Sequence, residues 1–231
     1  MIRQRWRDLL FVHWPMPAER VRPLVPPALA LDLHDGHAWI TMIPFLIAES
    51  RPAWVPPILA STFLETNLRT YVHGPDGEPG IYFFSLEAAS APAVAVARLV
   101  YGLPYFLAAM SRRVDGQRIV YASQRRHGPR ADLAITWTVG EPMGTAAPGG
   151  RDHFLVERYR LYVTRRGDLR RGRVRHAPYP LRRATIEQLS ESLLNAAGLP
   201  APGDSPLCQH SPGVDVEIFP LESPRAHPRA R

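Results

Sequence analysis

The sequence contains no lysine, because all 28 residues in its combined lysine and arginine count are arginine. An enzyme that forms a Schiff base with a carbonyl compound needs an unprotonated amine, usually a lysine whose pKa is lowered by burial or by a neighbouring cation. A guanidinium group stays protonated and cannot take that role. Only the terminal amine remains, so Schiff-base chemistry at a lysine is excluded for this chain.

Cysteine is almost absent as well, since Cys208 is the single one. A lone cysteine excludes an internal disulfide framework and suits a reducing cytoplasm. The amino terminus places Arg3, Arg5 and Arg7 around a very short apolar patch and lacks the apolar core of a signal peptide. We therefore expect a cytoplasmic location.

Several common site motifs are also missing. The sequence has no phosphate-binding loop, dinucleotide-binding fingerprint or hydrolase nucleophile elbow. Asp32, His34, Asp35 and His37 are residue types that bind metals, but a tight turn would send them in divergent directions, and no second cluster has suitable spacing. We expect neither a metal nor a cofactor.

The net charge of +7 raises the alternative of nucleic-acid binding. Complete replacement of lysine by arginine is more typical of a genome-wide compositional bias than of a phosphate-binding surface. We expect no nucleic-acid partner, and the sequence leaves the oligomeric state open, with a homo-oligomer as one alternative.

A nearly continuous apolar run extends from Ala91 to Met110, a length that could span a bilayer. Arg98 lies inside the run, where a charge would be costly, and Gly102-Leu103-Pro104 divides it into short pieces. The run therefore predicts a buried helix followed by a strand that begins near Pro104, and no membrane partner.

The clearest local pattern is a hairpin that follows Ser61. Between Glu65 and Val72 the side chains alternate, and Glu65, Asn67 and Arg69 share one side of the predicted strand. Residues 73 to 80 are rich in turn-forming types, and residues 81 to 86 form an apolar return strand that should be covered on both faces. On spacing alone, a solvated polar face is favoured over a cavity for the Glu65 stripe.

Short strands with turn signals recur through the rest of the chain, which predicts a mainly β fold. One amphipathic helix is predicted for residues 182 to 197, where Ile186, Leu189, Leu193 and Leu194 follow helical spacing. Residues 48 to 60 and 141 to 151 are predicted as irregular connections. The length is typical of one domain, which we assign to residues 1 to 222, with a flexible polar tail at 223 to 231.

Five segments together carry a family resemblance. They are W-x-x-L-L-F-V-H-W-P (6 to 15), D-G-H-A-W-I (35 to 40), F-L-E-T-N-L-R-T-Y-V (63 to 72), G-I-Y-F-F-S-L (80 to 86) and G-L-P-Y-F (102 to 106). In order and spacing they resemble the uncharacterised YqjF-like family, which is similar to the acetoacetate decarboxylase-like superfamily. The resemblance covers about residues 3 to 222. It implies a mainly β (α+β) domain, an acetoacetate decarboxylase-like β-barrel with a few peripheral helices.

The resemblance also implies positions for a site. A glutamate in a similar strand of acetoacetate decarboxylases lies in the active-site cavity, and Glu65 is the matching residue. Their segment G-x-P-K-K, whose first lysine forms the Schiff base, matches a stretch that has Tyr105 and Phe106 instead. Tyr105 could donate a hydrogen bond to a bound carbonyl and Phe106 could form an apolar wall, or both could simply pack in the core.

Three histidines and Cys208 remain open in role. The arginine that holds the substrate carboxylate in the decarboxylases lies near the first strand, where this chain has His13, so His13 is a candidate cavity acid or base or else a structural histidine. His176 and His210 each lie close to a proline and could close the cavity from the carboxyl-terminal half. Cys208 has no adjacent base.

Two function classes follow from these residues. The first is a binding protein that holds a small carboxylate- or carbonyl-bearing organic ligand in an internal cavity, with Glu65, Asn67, Arg69, Tyr105, Phe106 and His13 as candidate contacts. The second is an enzyme that performs lysine-independent acid/base chemistry of the lyase, isomerase or hydrolase type, with Glu65, Tyr105 and His13 as candidate catalytic residues. The missing lysine favours the first class.

Overall fold

The computed structural model of the protein describes residues 1 to 224. The tail predicted at 223 to 231 lies outside the described residues from position 225 onward. The strands are β1 (Ile2–Met16), β2 (Ala30–Leu31), β3 (Ala38–Pro52), β4 (Ser61–His73), β5 (Pro79–Ala88), β6 (Tyr105–Asp115), β7 (Arg118–Arg125), β8 (Asp132–Gly144), β9 (Arg160–Arg165), β10 (Asp168–Arg175), β11 (Leu181–Glu191) and β12 (Leu207–Ile218). The α-helices are α1 (Ala18–Val21), α2 (Ala91–Val96), α3 (Arg151–Val156) and α4 (Leu193–Ala196).

The predicted mainly β class is confirmed. All twelve strands belong to one sheet in the order β10-β9-β5-β6-β7-β8-β11-β12-β1-β3-β4-β2. Two further pairings, β5 with β4 and β10 with β12, join strands that are distant in this order. The hydrogen-bonded path from β4 through β5, β6, β7, β8, β11, β12, β1 and β3 therefore returns to β4. Such a circuit encloses an interior that side chains must fill.

Two apolar clusters lie on opposite faces of the strands β1, β3 and β4. Leu10 and Val12 belong to the first cluster, whereas Leu9 and Phe11 belong to the second. This division follows from the strand geometry, because successive side chains point to opposite faces. Both faces of these strands are thus buried, and neither presents the Glu65 stripe to solvent.

A β-bulge in β5 places Leu86 on the same face as Phe83. Leu68 pairs with Ser85 and the next residue, Arg69, pairs with Phe83, so Phe84 is the extra residue. Ile81, Phe83 and Leu86 therefore face the second cluster, although their spacing is not uniformly two. The hairpin and its doubly covered return strand, both predicted from the sequence, are confirmed.

The apolar run after β5 is partly as predicted. It forms α2, a π-helical segment Ala97–Tyr101, and then β6, which starts at Tyr105 as expected. The helix is not buried, however, because Leu99 is 77% exposed and Val100 is 53% exposed. Its Ala93 and Val94 face the second cluster while the opposite side faces water. Within residues 1–224, no helix is both long enough and apolar enough to cross a bilayer.

The helix predicted for residues 182 to 197 is wrong over most of its length. Residues Leu181–Glu191 form strand β11, and only Leu193–Ala196 is helical. A register shift between Ile186 and Gln188 in the pairing with β8 inserts an extra residue. Ile186 and Leu189 therefore pack on the same cluster at a separation of three residues, which imitates helical spacing.

Two predicted connections are shorter than expected. Strand β3 continues to Pro52, where its register with β1 extends to Ile2, and β8 continues to Gly144. Pro52 is the last residue of β3 and Pro142 lies two residues from the end of β8, and a missing proline N–H is tolerated near a strand end. The turn at Asp35-Gly36 has positive φ at both residues, as the predicted tight hairpin requires.

Candidate functional site

The polar stripe of β4 lines an internal cavity. Glu65, Asn67 and Arg69 all contribute to its wall, and each is 6% exposed or less. The cavity has a volume of about 170 Å³. Because the stripe belongs to a strand that is buried on both faces, its alternation points into this interior and not to solvent.

Glu65 and Tyr105 meet in this cavity. Tyr105 is the first residue of β6, which pairs in parallel with β5 so that Tyr105 lies beside Leu86. Glu65 lies opposite Ala88 on the other edge of β5. The two side chains thereby converge, and the Tyr105 hydroxyl donates a hydrogen bond of 2.8 Å to Glu65 Oε2.

Burial raises the pKa of Glu65 to about 8, mainly because the carboxylate form would lose its hydration. The Tyr105 hydrogen bond opposes this rise, and the nearby Glu87 carboxylate adds to it. Glu65 is therefore largely protonated at neutral pH. A neutral carboxyl can donate a hydrogen bond or a proton, which an ionised carboxylate cannot do.

Arg69 carries a buried charge without an acidic partner. Its Nη2 donates to the Leu155 carbonyl oxygen at 3.2 Å, while its Nε is buried and has no partner within residues 1–224. No carboxylate of the described chain forms a salt bridge with it. Asn67 Oδ1, two residues earlier on the same strand, is also buried without a donor. Unpaired buried polar groups are costly, so these atoms indicate a place for a polar ligand group.

Arg158 also lines the cavity, but its charge is compensated. Its Nη1 donates to Asp32 Oδ2 at 2.8 Å, and its Cζ lies 4.3 Å from the centroid of the Phe154 ring. Sequence reasoning missed both Arg158 and the role of Asp32. The pair joins residues 126 positions apart, and no local spacing could have indicated it.

Most of the remaining wall is apolar. Phe45, Phe63, Phe83 and Leu86 line the cavity from three neighbouring strands. Trp6 and Tyr179 add further aromatic surface. The cavity therefore combines a short polar stripe with an extended apolar surface, the usual composition of a small-molecule site.

The structure does not bring His13 or Phe106 into the cavity wall. His13 is fully buried between Thr41 Oγ1, 2.8 Å from Nδ1, and Gln209 Oε1, 3.2 Å from Nε2. Burial lowers its pKa to about 3, with a further contribution from Arg69. Phe106 points to the face opposite Tyr105, as the next residue of a strand must, and its ring lies 3.8 Å from Arg125 Cζ. Both side chains therefore lie outside the cavity wall.

His176, His210 and Cys208 also lie outside the cavity wall. The centroid of the His176 ring lies 4.6 Å from that of the Tyr179 ring. His210 is buried beside Asp8 and accepts a 3.4 Å hydrogen bond from Trp137 Nε1. Cys208 Sγ is 3.0 Å from the Ala184 carbonyl oxygen. Neither histidine closes the cavity as the sequence had suggested.

The residue types that could bind a metal are dispersed. Asp32 is engaged with Arg158, and His34 stacks on Phe154 at 5.0 Å. In the part of the chain that the structure describes, no three His, Cys, Asp or Glu side chains form a metal-binding group.

A family model matches nearly the whole chain. DUF2071, described as an uncharacterized conserved protein, matches residues 3–215. The uncharacterized protein YqjF of Bacillus subtilis (strain 168) is 40% identical over 222 residues, which covers 96% of this chain and 91% of that protein.

Solved structures agree at the level of the fold. The enduracididine biosynthesis enzyme MppR complexed with pyruvate has a TM-score of 0.66 at 14% identity, over 96% of this chain and 90% of that one. An acetoacetate decarboxylase from Legionella pneumophila has a TM-score of 0.63 at 13% identity, over 95% of this chain and 84% of the other. The expected acetoacetate decarboxylase-like fold is confirmed.

Proposed function

The chain belongs to the DUF2071 family of uncharacterized conserved proteins, and we propose that it binds a small organic ligand bearing a carboxylate or carbonyl group in the cavity beside Glu65 and Arg69. The observation that carries this proposal is the buried guanidinium of Arg69, which has no acidic partner within residues 1–224 and an unpaired Nε. A ligand carboxylate would supply the missing charge and the missing acceptor in one group.

The opposite end of the stripe suits a carbonyl oxygen. Tyr105 and the protonated Glu65 together provide hydroxyl hydrogens beside the cavity. A ligand carbonyl could accept from Glu65 while the Tyr105 bond holds that carboxyl in place. Chemistry through a lysine Schiff base takes no part, because the sequence has no lysine.

One solved structure with this fold contains a small carboxylate ligand. MppR is complexed with pyruvate in its solved structure. At 14% identity this likeness establishes the fold and not a shared ligand. The choice of ligand for this chain therefore depends on its own side chains.

Binding of 4-methyl-2-oxopentanoate, a 2-oxo carboxylate with a branched apolar tail, tests the proposal. Ligand-observed NMR titration should detect binding to the parent protein and a loss of at least about tenfold in affinity for Arg69→Gln, since truncation of one member of a desolvated charge pair is costly. Arg126→Gln removes the same charge from an exposed position and should leave the affinity unchanged. Equal affinities for both variants, or no binding to the parent protein, would refute the proposal.

A second candidate function is proton transfer by Glu65, which its raised pKa favours. A carboxyl with a pKa of about 8 can exchange a proton with a bound ligand near neutral pH. Incubation of 4-methyl-2-oxopentanoate in D₂O would reveal catalysed hydrogen exchange at its C3. Exchange that disappears in Glu65→Gln would support an enzyme, whereas no exchange above the buffer rate would leave binding as the function.

We also propose a cytoplasmic location. The support is the lone Cys208, which suits a reducing compartment. Fractionation of the source cells, with an antibody to the protein, tests it.

A further inference from the structure

Three arginines line the cavity, and they differ in whether an acidic side chain neutralises their charge. Arg158 is paired with Asp32, and Arg160 Nη2 lies 2.8 Å from Glu78 Oε2. Arg69 has no such partner in the described chain. Glu65, the acidic residue of the wall, is held neutral by its surroundings. The cavity therefore offers one positive charge that is not already used.

The charge of Arg69 changes the pKa of neighbouring groups. Arg69 lowers the pKa of His13 and of His176, and it also opposes protonation of Arg158. These three groups lie on β1, after β10 and after α3, so the potential of Arg69 extends through the interior around the cavity. A single anion beside Arg69 would relieve the same potential.

A second anion would have no comparable place. Glu65 is four residues from Arg69 along β4, a separation of about 13 Å between their Cα atoms. Between and opposite these residues the wall is Asn67 and the aromatic side chains Phe45 and Phe83. A second carboxylate would be desolvated against an apolar surface, which costs several times more than a neutral polar group.

The volume also limits the ligand. The cavity measures about 170 Å³, and an apolar cavity of about 150 Å³ accommodates a benzene ring. A carboxylate with a branched or aromatic tail of that size would fill it. A phosphate monoester of similar size would bring more than one charge.

Building on the proposed function, we infer that the occupant of this cavity is a monocarboxylate with a branched-alkyl or aryl tail, and that the cavity discriminates against dicarboxylates and phosphate esters of similar size. The carboxylate pairs with Arg69, and the tail packs on Phe45, Phe63 and Phe83. Selectivity arises because one cation is available for one anion, while Arg158 stays engaged with Asp32.

Three probes distinguish the effect of ligand charge from the effect of tail polarity. 4-Methylpentanoate has one charge and a branched apolar tail, monomethyl glutarate has one charge and a polar tail, and glutarate has two charges. In competition with 4-methyl-2-oxopentanoate, the expected order of affinity is 4-methylpentanoate, then monomethyl glutarate, then glutarate. Glutarate should be weaker than its monomethyl ester by at least about tenfold, as expected for an unpaired desolvated charge.

One variant should reduce the difference in affinity between glutarate and its monomethyl ester. Asp32→Asn removes the partner of Arg158 and retains the size of the side chain, so the cavity gains a second free cation. The ratio of glutarate to monomethyl glutarate affinity should then rise severalfold. If Asp32→Asn does not fold, the comparison of glutarate with its ester in the parent protein decides alone.

The possible outcomes test the single-charge inference and the proposed function separately. Glutarate bound as tightly as its monomethyl ester would overturn the single-charge inference while the proposed function would stand. If monomethyl glutarate bound more tightly than 4-methylpentanoate, the inference that the ligand has an apolar tail would be overturned. Failure of 4-methyl-2-oxopentanoate and of all three probes to bind the parent protein would overturn the proposed function as well.

Discussion

Tyr105 donates a 2.8 Å hydrogen bond to Glu65 Oε2 inside the cavity, although 40 positions separate the two residues in the sequence. Strand β5 brings them together because it pairs with β4 on one edge and with β6 on the other. The bond favours the ionised form of Glu65 and so partly offsets the effect of burial on its pKa. Tyr105 thereby sets how readily Glu65 gives up its proton.

Tyr105→Phe should raise the pKa of Glu65 above its value of about 8, because the hydrogen bond that stabilises the carboxylate is lost. The pH titration of the Glu65 carboxyl carbon by ¹³C NMR, assigned by its absence in Glu65→Gln, measures this change. Tyr82→Phe is a matched control, since Tyr82 lies on the opposite face of β5. An unchanged or lower midpoint in Tyr105→Phe would contradict the role given to this bond.

Glu65→Gln should remove a pH dependence of stability. The pKa of Glu65 is about 8 in the folded protein against an ordinary value of 4.5, so its contribution to stability is full below about 4.5 and is lost as the pH rises to about 8. The loss in the parent protein is on the order of 4 kcal/mol. Urea unfolding between pH 5 and 8 measures it.

Over that range the free energy of unfolding of Glu65→Gln should fall less steeply than that of the parent protein. Glu19→Gln, at an exposed position, should behave like the parent protein. Parallel curves for parent and Glu65→Gln would show that Glu65 is ionised over the whole range.

His13→Gln should reduce the loss of folding stability at acid pH. The pKa of His13 falls from 6.5 to about 3 on folding, so its neutral burial stabilises the protein above pH 6.5, and this contribution is lost as the pH falls toward 3. The variant should therefore lose less stability between pH 6.5 and 4, while His210, with a pKa of about 4, keeps a similar dependence. His127→Gln is an exposed control. Thermal unfolding as a function of pH tests this, and an acid response equal to that of the parent would contradict it.

How far the sequence could predict the site differs from residue to residue. The alternation in β4 placed Glu65, Asn67 and Arg69 on one side, because a strand has a fixed period of two. The side that faces the interior could not be chosen from the spacing alone, and the resemblance to known relatives supplied the choice. The pairing of Arg158 with Asp32 depends on α3 and the first hairpin meeting in space, which no local pattern records.

The wrong helix prediction for residues 182 to 197 originates in an irregular strand. The bulge in β11 gives Ile186 and Leu189 a spacing of three residues, so a strand imitates a helix. The bulge in β5 shifts Leu86 into the same face as Phe83. A bulge depends on the partner strand, and its position is therefore set by tertiary pairing more than by local sequence. His13 was uncertain for a related reason, since its partners Thr41 and Gln209 come from β3 and β12.

Gly213→Ala should destabilise the fold strongly. Gly213 has φ of +131°, a conformation that side chains disfavour, and a Cβ at this position would overlap the Trp6 carbonyl oxygen on β1. The expected loss is about 2 kcal/mol or more in the free energy of unfolding. Gly203→Ala, which would meet nothing within 4 Å, should cost little. Similar unfolding midpoints for the two variants would contradict the pairing of β1 with β12 at this point.

The most direct test of the account is a crystal structure of the protein with 4-methyl-2-oxopentanoate. We expect a non-covalent ligand whose carboxylate lies within hydrogen-bonding distance of the Arg69 guanidinium. Its carbonyl oxygen should point toward Glu65 and Tyr105, and its tail should contact Phe83. A ligand bound elsewhere, or bound in this cavity with its carboxylate away from Arg69, would contradict the account.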